Sequence, residues 1–199
     1  MILYGASGHA KVIIEIAEML NIKISGLLDD NPRITELLGY TVTGPDKFFI
    51  SYTTDDCFII SIGNNFIRKK IVERNEYRYY QPLVHPRAEL SKRAKCGEGS
   101  VIMGNAIINS DSTLGKHLII NTSASIDHDC RIDDYAHISP NATITGGVSI
   151  GEGSQIGAGA VILPEVKIGK WAIIGAGAVI IKDVPDNAVV VGNPGRIIK

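Results

Sequence analysis

The chain has 199 residues, 45% of them hydrophobic and 21% charged, with a formal net charge of −1. That is enough apolar material for one large domain or two small ones, and it excludes a disordered tail. The near-neutral balance lacks the basic excess of a nucleic-acid or membrane-surface binder, so neither partner is expected. No apolar run reaches the roughly 18 residues that a membrane helix needs. The opening MILYGASGH has no basic start and no long apolar stretch, so a cytoplasmic chain is expected. Cys57, Cys96 and Cys130 show no Cys-x-x-Cys spacing. They read as buried thiols of a reducing compartment, and no metal site is expected from them.

Residues 1–82 alternate strand and helix, which predicts a small Rossmann-like α/β domain with a parallel sheet. MILYG is a short apolar strand. GASGHAK turns into VIIEIAEML, a helix with Val12, Ile13, Ile16, Met19 and Leu20 at helical spacing. KISGLLDD is a second strand, CFIISIGNN a third, and FIRKKIVERNEY a charged helix. Pro82 and Pro86 punctuate the boundary. In open α/β sheets ligands meet the carboxyl ends of strands. Three such ends stand out. The turn Gly5 to His9 could offer amides to phosphate oxygens at a helix N-terminus. Asp29 and Asp30 follow about 20 residues on, where an acid takes ribose hydroxyls. Gly63-Asn64-Asn65 ends the third strand. On residues alone the competing readings are a packing turn at the glycines and a cap or turn pair at Asp29-Asp30.

From Leu90 the beat changes. Stepping by six from Leu90 to Ile180 meets sixteen apolar positions, all aliphatic except Cys96. Four residues after each stands a small or aliphatic residue, from Ala94 to Val184. Periods of 2 and 3.6 do not explain this, and a hexapeptide β-helix does. Three hexads make an 18-residue coil with one apolar residue per side pointing inward, and coils stack at roughly 4.8 Å. Residues 83–199 are expected to form this domain, with five coils between Leu90 and Ile180. Pro185, Pro194 and Gly195 would stop further hexads, and a cap there would cover an exposed sheet edge.

Sorting the turn residues by steps of 18 separates three corners. One carries Ser110-Asp111, His128-Asp129 and Gly146-Gly147. A second carries Lys116-His117, Asp134-Tyr135 and Lys170-Trp171. The third, with Gly104-Asn105, Ala158-Gly159 and Ala176-Gly177, is almost bare of long side chains. A bare corner lets an extended ligand such as a pantetheine arm lie against backbone amides, or simply reflects good turn formers. His128 has only glycines one coil above it, so the space over its ring is expected to be open. An imidazole with an unperturbed pKa of about 6.5 suits a general base, and Asp129 or Asp127 could orient it and raise its basicity.

The hexad pattern and the ending IIKDVPDNAVVVGNPGRIIK resemble the hexapeptide transferase family, the left-handed parallel β-helix acyltransferases. With YGASGHA, LLDD, SIGNNFIR and NTSASIDHDC added, almost the entire chain resembles the bacterial nucleotide-sugar acetyltransferases. Within that group it looks closest to UDP-4-amino-sugar N-acetyltransferases, beside the sialic acid O-acetyltransferases. The resemblance implies a left-handed helix and a homotrimer with active sites between subunits. It implies that Ser7, Gly8 and His9, with Asp29, Asp30 and Gly63, hold the nucleotide end of the substrate. It implies acetyl-CoA as co-substrate, held near His137, Ala158 and Ala176, and His128 as catalytic base. The family's supporting acid, often glutamate, is here Asp129, one methylene shorter.

The function expected is therefore N-acetylation of the 4-amino group of a nucleotide-linked sugar. O-acetylation of a sugar or sialic acid would use the same base. A zinc-dependent carbonic anhydrase-like β-helix recruiting His117, His128 and His137 is a rival from another class, and a non-catalytic nucleotide-binding scaffold is another.

Overall fold

The computed structural model describes residues 1–45 and 56–199. The chain begins with β1 (Ile2–Tyr4), α1 (Gly8–Met19), β2 (Gly26–Leu28), β3 (Glu36–Leu37), β4 (Tyr40–Thr43), β5 (Phe58–Ile60) and α2 (Asn65–Arg74). The sheet order is β3-β4-β2-β1-β5. β4, β2, β1 and β5 run parallel, and β3 is antiparallel to β4. Both faces of β1 and β5 are buried, which is why ILY and FII carry no polar alternation. The buried stripe of α1 is Ala10, Ile13, Ile14 and Ala17 with Ile16, the i, i+3, i+4, i+7 pattern. Met19 and Leu20, expected on that stripe, are exposed because they fall past the last full turn.

The β3–β4 hairpin had no expectation in the sequence. Its loop places Leu38 at φ 50 and Gly39 at φ 80. A primed turn needs positive φ at both central residues, and Asn or Gly usually signals it. A leucine at the first position hides the signal.

From Leu83–Val84 onward, two-residue strands build a parallel β-helix with three faces. The first face stacks Leu83–Val84, Val101–Ile102, Ile119–Ile120, His137–Ile138, Gln155–Ile156, Ile173–Ile174 and Val189–Val191. The second runs from Glu89–Leu90 to Val179–Ile180 and the third from Lys95–Cys96 to Lys167–Ile168. The beat thus starts one hexad before Leu90, at Val84, which pairs with Ile102. Most of its beat residues from Ile102 to Ile180 and the small residues four places on form one buried core. The third residue after each beat residue has positive φ at every hexad from Gly99 to Gly177. Each corner is therefore a turn with one left-handed residue, filled by Gly, Asn or Asp in most hexads.

The last coil is shorter than expected. Val184 lies beside Ile168 and Val189 beside Ile173, a step of 16 and not 18. Val184, four residues after Ile180, takes the beat position beside Ile168 and not the small-residue position of the Ile180 hexad. The chain then returns as Arg196–Ile197, antiparallel to Val189–Val191, and covers the edge of the first face.

The α/β domain sits on the first face of the prism. Leu3, Ala6, Ile13 and Ile16 share one buried cluster with Leu83, Val101, Met103 and Ile119. α2 lies along the corner between the third and first faces. Its Asn65 amide donates to the Gly153 carbonyl at 3.0 Å, Lys69 pairs with Glu152, and Phe66 meets Trp171 edge-on.

Candidate active site

His128 and Asp129 occupy the turn between Ser125–Ile126 on the second face and Arg131–Ile132 on the third. The Asp129 carboxylate accepts a hydrogen bond from His128 Nδ1 at 2.7 Å. Nε2 is thereby left as the ring's basic nitrogen. The bond to Asp129, and then the charge of Asp127, raise the His128 pKa above 6.5. Asp127 does not bond the ring. Its Oδ1 accepts from the His128 backbone amide at 2.9 Å and from the Asn109 amide at 3.0 Å, so it shapes the turn. Both members of the pair are well exposed. The ring uses the space that the glycine one coil above leaves, and lies over Gly146. A Cβ at Gly146 would stand 2.8 Å from His128 Cε1. The missing side chain is what lets the imidazole fold down along the corner.

A second group of residues gathers at the seam between the two domains. His137 lies on the first face, and its Nε2 meets the Asn121 amide at 3.1 Å. With Asn121 donating, the neutral ring carries its proton on Nδ1. The Gly63 backbone acts on this ring, and His9 is an electrostatic neighbour. Burial and the nearby Arg68 cation lower His137 to about 4. Burial, His137 and Arg68 lower His9 to about 3. Both rings are neutral at neutral pH. His9 Nε2 and His137 Nδ1 are buried and make no hydrogen bond among the described residues.

The carboxyl ends of β1, β2 and β4 open onto a cavity of about 850 Å3 bounded by Tyr4, Asp30, Thr43, Arg74 and Tyr77 among others. Asp29 holds the glycine turn internally. It accepts from the Ala6 amide at 2.7 Å and the Asn31 amide at 2.8 Å, one on each oxygen. Asp30 Oδ1 accepts from the Tyr4 hydroxyl at 2.7 Å. Ser7 stands before α1 without using its side chain as a cap, and Gly8 has open space where a Cβ would be. Ala158 and Ala176 are exposed one above the other on the bare corner, where Gly177 N donates to the Ala158 carbonyl at 2.9 Å. Gly159 and Gly177 likewise face open space.

These groups divide between two sides of one prism. The His128 corner lies between the second and third faces, opposite the first face that carries the α/β domain and His137. One chain does not bring His128 to its own His9, Gly63 and Asp30. His117, the third histidine of the zinc alternative, lies on yet another corner and is 2% exposed. It is packed between Tyr79 and Tyr135. Burial pushes the Cys96 thiol up to about 11 and raises the Cys130 thiol, which disfavours a nucleophilic thiolate. Sequence reasoning missed Tyr4, Asn121, Arg68 and Arg74. Tyr4, Arg68 and Asn121 stand inside the quoted stretches YGASGHA, SIGNNFIR and NTSASIDHDC, but neither they nor Arg74 is of a residue type that those motifs single out, and the partners that give each a role are distant in the chain.

A hexapeptide prism with a histidine–carboxylate pair on one corner, joined to an α/β domain with an open cavity at its strand ends, defines a hexapeptide-repeat acyltransferase with a second ligand-binding domain. Comparison with known proteins agrees. The PglD N-terminal domain family matches residues 1–75, and the bacterial transferase hexapeptide (six repeats) family matches residues 147–182. UDP-N-acetylbacillosamine N-acetyltransferase of Bacillus subtilis is 41% identical over 107 residues. That match takes in 51% of this chain and 50% of the relative, so the chain spans about half the length of that curated protein. A mutant of perosamine N-acetyltransferase from Caulobacter crescentus, in complex with CoA and GDP-perosamine, is 34% identical with a TM-score of 0.92. The likeness covers 100% of this chain and 96% of that one. The acetyltransferase domain of PglB from Neisseria gonorrhoeae, in complex with acetyl coenzyme A, is 36% identical with a TM-score of 0.92, over 99% and 98% of the two chains. The chain belongs to the nucleotide-sugar N-acetyltransferase family of hexapeptide-repeat proteins.

Proposed function

We propose that the protein transfers the acetyl group of acetyl-CoA to the 4-amino group of a UDP-linked amino sugar, with His128 as general base. The observation that carries this is the 2.7 Å bond from His128 Nδ1 to Asp129 on an exposed corner, which leaves Nε2 free to take a proton. The amine nitrogen attacks the thioester carbonyl and a tetrahedral oxyanion forms. His128 removes the proton of the nitrogen, the carbon–sulfur bond breaks, and the proton passes to the departing thiolate. Both substrates in one cleft supply proximity, and a backbone amide would hold the oxyanion. No covalent acyl-enzyme is needed.

The nucleotide end is assigned to the strand ends, with Ser7, Gly8, His9, Asp30 and Gly63 in contact and Asp29 holding the turn. The acetyl-CoA arm is assigned to His137 and the bare corner at Ala158 and Ala176. Relatives with CoA, acetyl coenzyme A or GDP-perosamine bound support these two classes of ligand. UDP is favoured by the Bacillus relative. Because His128 lies across the prism from the α/β domain, one chain's His128 serves the nucleotide sugar held by a neighbouring chain, in the homotrimer that the family resemblance implies.

The test is release of free CoA thiol from acetyl-CoA with UDP-4-amino sugars, GDP-4-amino sugars and sialic acid as acceptors. Turnover with a UDP-4-amino sugar, lost in His128→Ala, supports the proposal. Turnover with sialic acid alone moves the reaction to oxygen, and unchanged turnover in His128→Ala removes the base.

A further inference from the structure

α2 grips the prism through a side chain that the chemistry above does not use. Arg68 is 1% exposed, and its guanidinium donates to five acceptors on three segments. Nε reaches the His117 carbonyl at 2.8 Å and Nη2 the Tyr135 carbonyl at 2.7 Å, both on the prism. Nη1 reaches the Ile62 carbonyl at 2.9 Å and the Gly63 carbonyl at 3.4 Å, both past the end of β5. The fifth acceptor is Asn65 Oδ1 at 2.9 Å. Arg68 forms no ion pair among the described residues. Burial lowers its pKa to about 9, so it is charged at neutral pH.

The prism carbonyls are available for a geometric reason. His117 and Tyr135 are the left-handed residues of their turns, at φ 54 and 61. The ladder uses the carbonyl one residue earlier, as when Tyr135 N donates to Lys116 O and Gly153 N to Asp134 O. The carbonyls of residues 117, 135 and 153 remain, one per coil. Arg68 takes the first two and Asn65 the third. A planar fork with five donors suits this array where a lysine would not. Simple docking does not require a buried cation held only by neutral oxygens, which is an expensive contact. Lys69 with Glu152 and Phe66 on Trp171 already hold the same helix to the same corner.

Tyr135 is two residues before His137, and Gly63 acts on the His137 ring. We infer that Arg68 is a positioning residue for the acceptor. Its fork fixes the Gly63 turn relative to His137 and His9, so a nucleotide sugar lying across the strand ends meets the prism in one register. The inference rests on the nucleotide-sugar reading above. Arg68 also faces three rings. His9 feels His137 and Arg68, His137 feels Arg68 and the Gly63 backbone, and His117 feels Arg68, Glu98 and Lys116. In each the Arg68 cation opposes protonation.

Arg68→Met and Arg68→Lys separate fork from charge, with the surface variant Lys70→Met as control on the same helix. Three readouts are taken: hydrogen exchange of the 61–65 amides, NMR titration of His9 and His137 in the substrate-free protein, and steady-state acetylation. Both Arg68 variants are expected to exchange faster at 61–65. They are expected to raise the acceptor KM about 10-fold or more with kcat and the acetyl-CoA KM little changed, as weakened acceptor binding with the chemistry intact predicts. His9 and His137 titrate at higher pH in Arg68→Met and stay near wild type in Arg68→Lys. Unchanged exchange and acceptor KM in Arg68→Lys overturn the inference, and that variant decides if Arg68→Met does not fold. If wild type acetylates no nucleotide sugar, the functional reading fails separately, and the exchange and titration data still judge Arg68.

Discussion

Asp129 holds two jobs in one turn, and its backbone explains why an aspartate stands there. At φ 59 it is the left-handed residue of its corner, a conformation that aspartate tolerates better than most side chains. From that position its carboxylate folds back onto the preceding ring. Replacing His128 by Ala should lower kcat/KM by about 10²–10⁴-fold in a thiol-release assay, the usual contribution of a general base. The base works when neutral, so activity should rise as pH increases through a His128 pKa that lies above 6.5. The bond to Asp129 is the largest cause of that elevation. Asp129→Asn should therefore shift the acidic limb of the pH–rate profile to lower pH while reducing the rate. Gly146→Ala has ordinary backbone freedom but sets a methyl 2.8 Å from the ring. It should fold normally, lower kcat, and move the His128 NMR signals; an unchanged kcat would show that the ring position is immaterial.

At the scale of the element, the prism is held by repetition of one contact. Ile144 is flanked by Ile126 and Ile162 on its own face and is 1% exposed. Ile144→Ala should reduce stability by about 2–5 kcal/mol, since close-packed neighbours cannot collapse onto the space; thermal unfolding checks it. Three small positions carry serine, and each bridges coils. Ser112 Oγ donates to the Asp127 carbonyl at 2.7 Å and accepts from the Cys130 amide at 3.1 Å. Ser100 and Ser154 repeat the arrangement at the corner between the third and first faces. These buried hydroxyls are fully used, which is why polar residues interrupt an apolar column without penalty. Ser112 also spans the two ends of the His128 turn.

For the whole molecule, the seam between the domains predicts a pH response. Burial first, and Arg68 next for His117 and His137, keep His9, His117 and His137 neutral, at about 3, 4 and 4. In the unfolded chain they would titrate near 6.5. Below that value the unfolded state binds protons that the folded state does not, so stability is full above about 6.5 and falls as pH drops toward 4. Melting temperature against pH should show this fall, and a flat profile over that range would count against a buried seam. The separation of His128 from the α/β domain makes a second prediction. An equal mixture of His128→Ala and His137→Ala chains, each inactive alone, should regain about one quarter of wild-type activity when assembled together. Each shared site draws one group from each of two chains. No recovery would mean that both groups serve the same chain's site, and light scattering would give the mass of the assembly.

Much of this was legible in the chain. A period of six needs only local information, because each beat residue meets the ones 18 before and after it, so the prism and its corners follow from counting. The same counting placed His128 beside Asp129 and the glycines above them. Counting could not find the 16-residue last coil, because Val184 fits either register until Ile168 is seen beside it. It could not choose between Asp127 and Asp129, since both adjoin His128 in sequence and only the turn geometry sends one carboxylate to the ring and the other to backbone. The open α/β sheet was readable from apolar runs, but not the Leu38-Gly39 hairpin, whose signal a leucine conceals. What the sequence by itself determined is therefore the repeat, the order of the two domains and the chemistry available on each corner. The tertiary structure alone decided which corner receives α2, that Arg68 is buried among carbonyls of three segments, and that His128 faces away from its own α/β domain. Those facts depend on contacts between residues 49 to 89 positions apart, and no local pattern encodes so distant a partner.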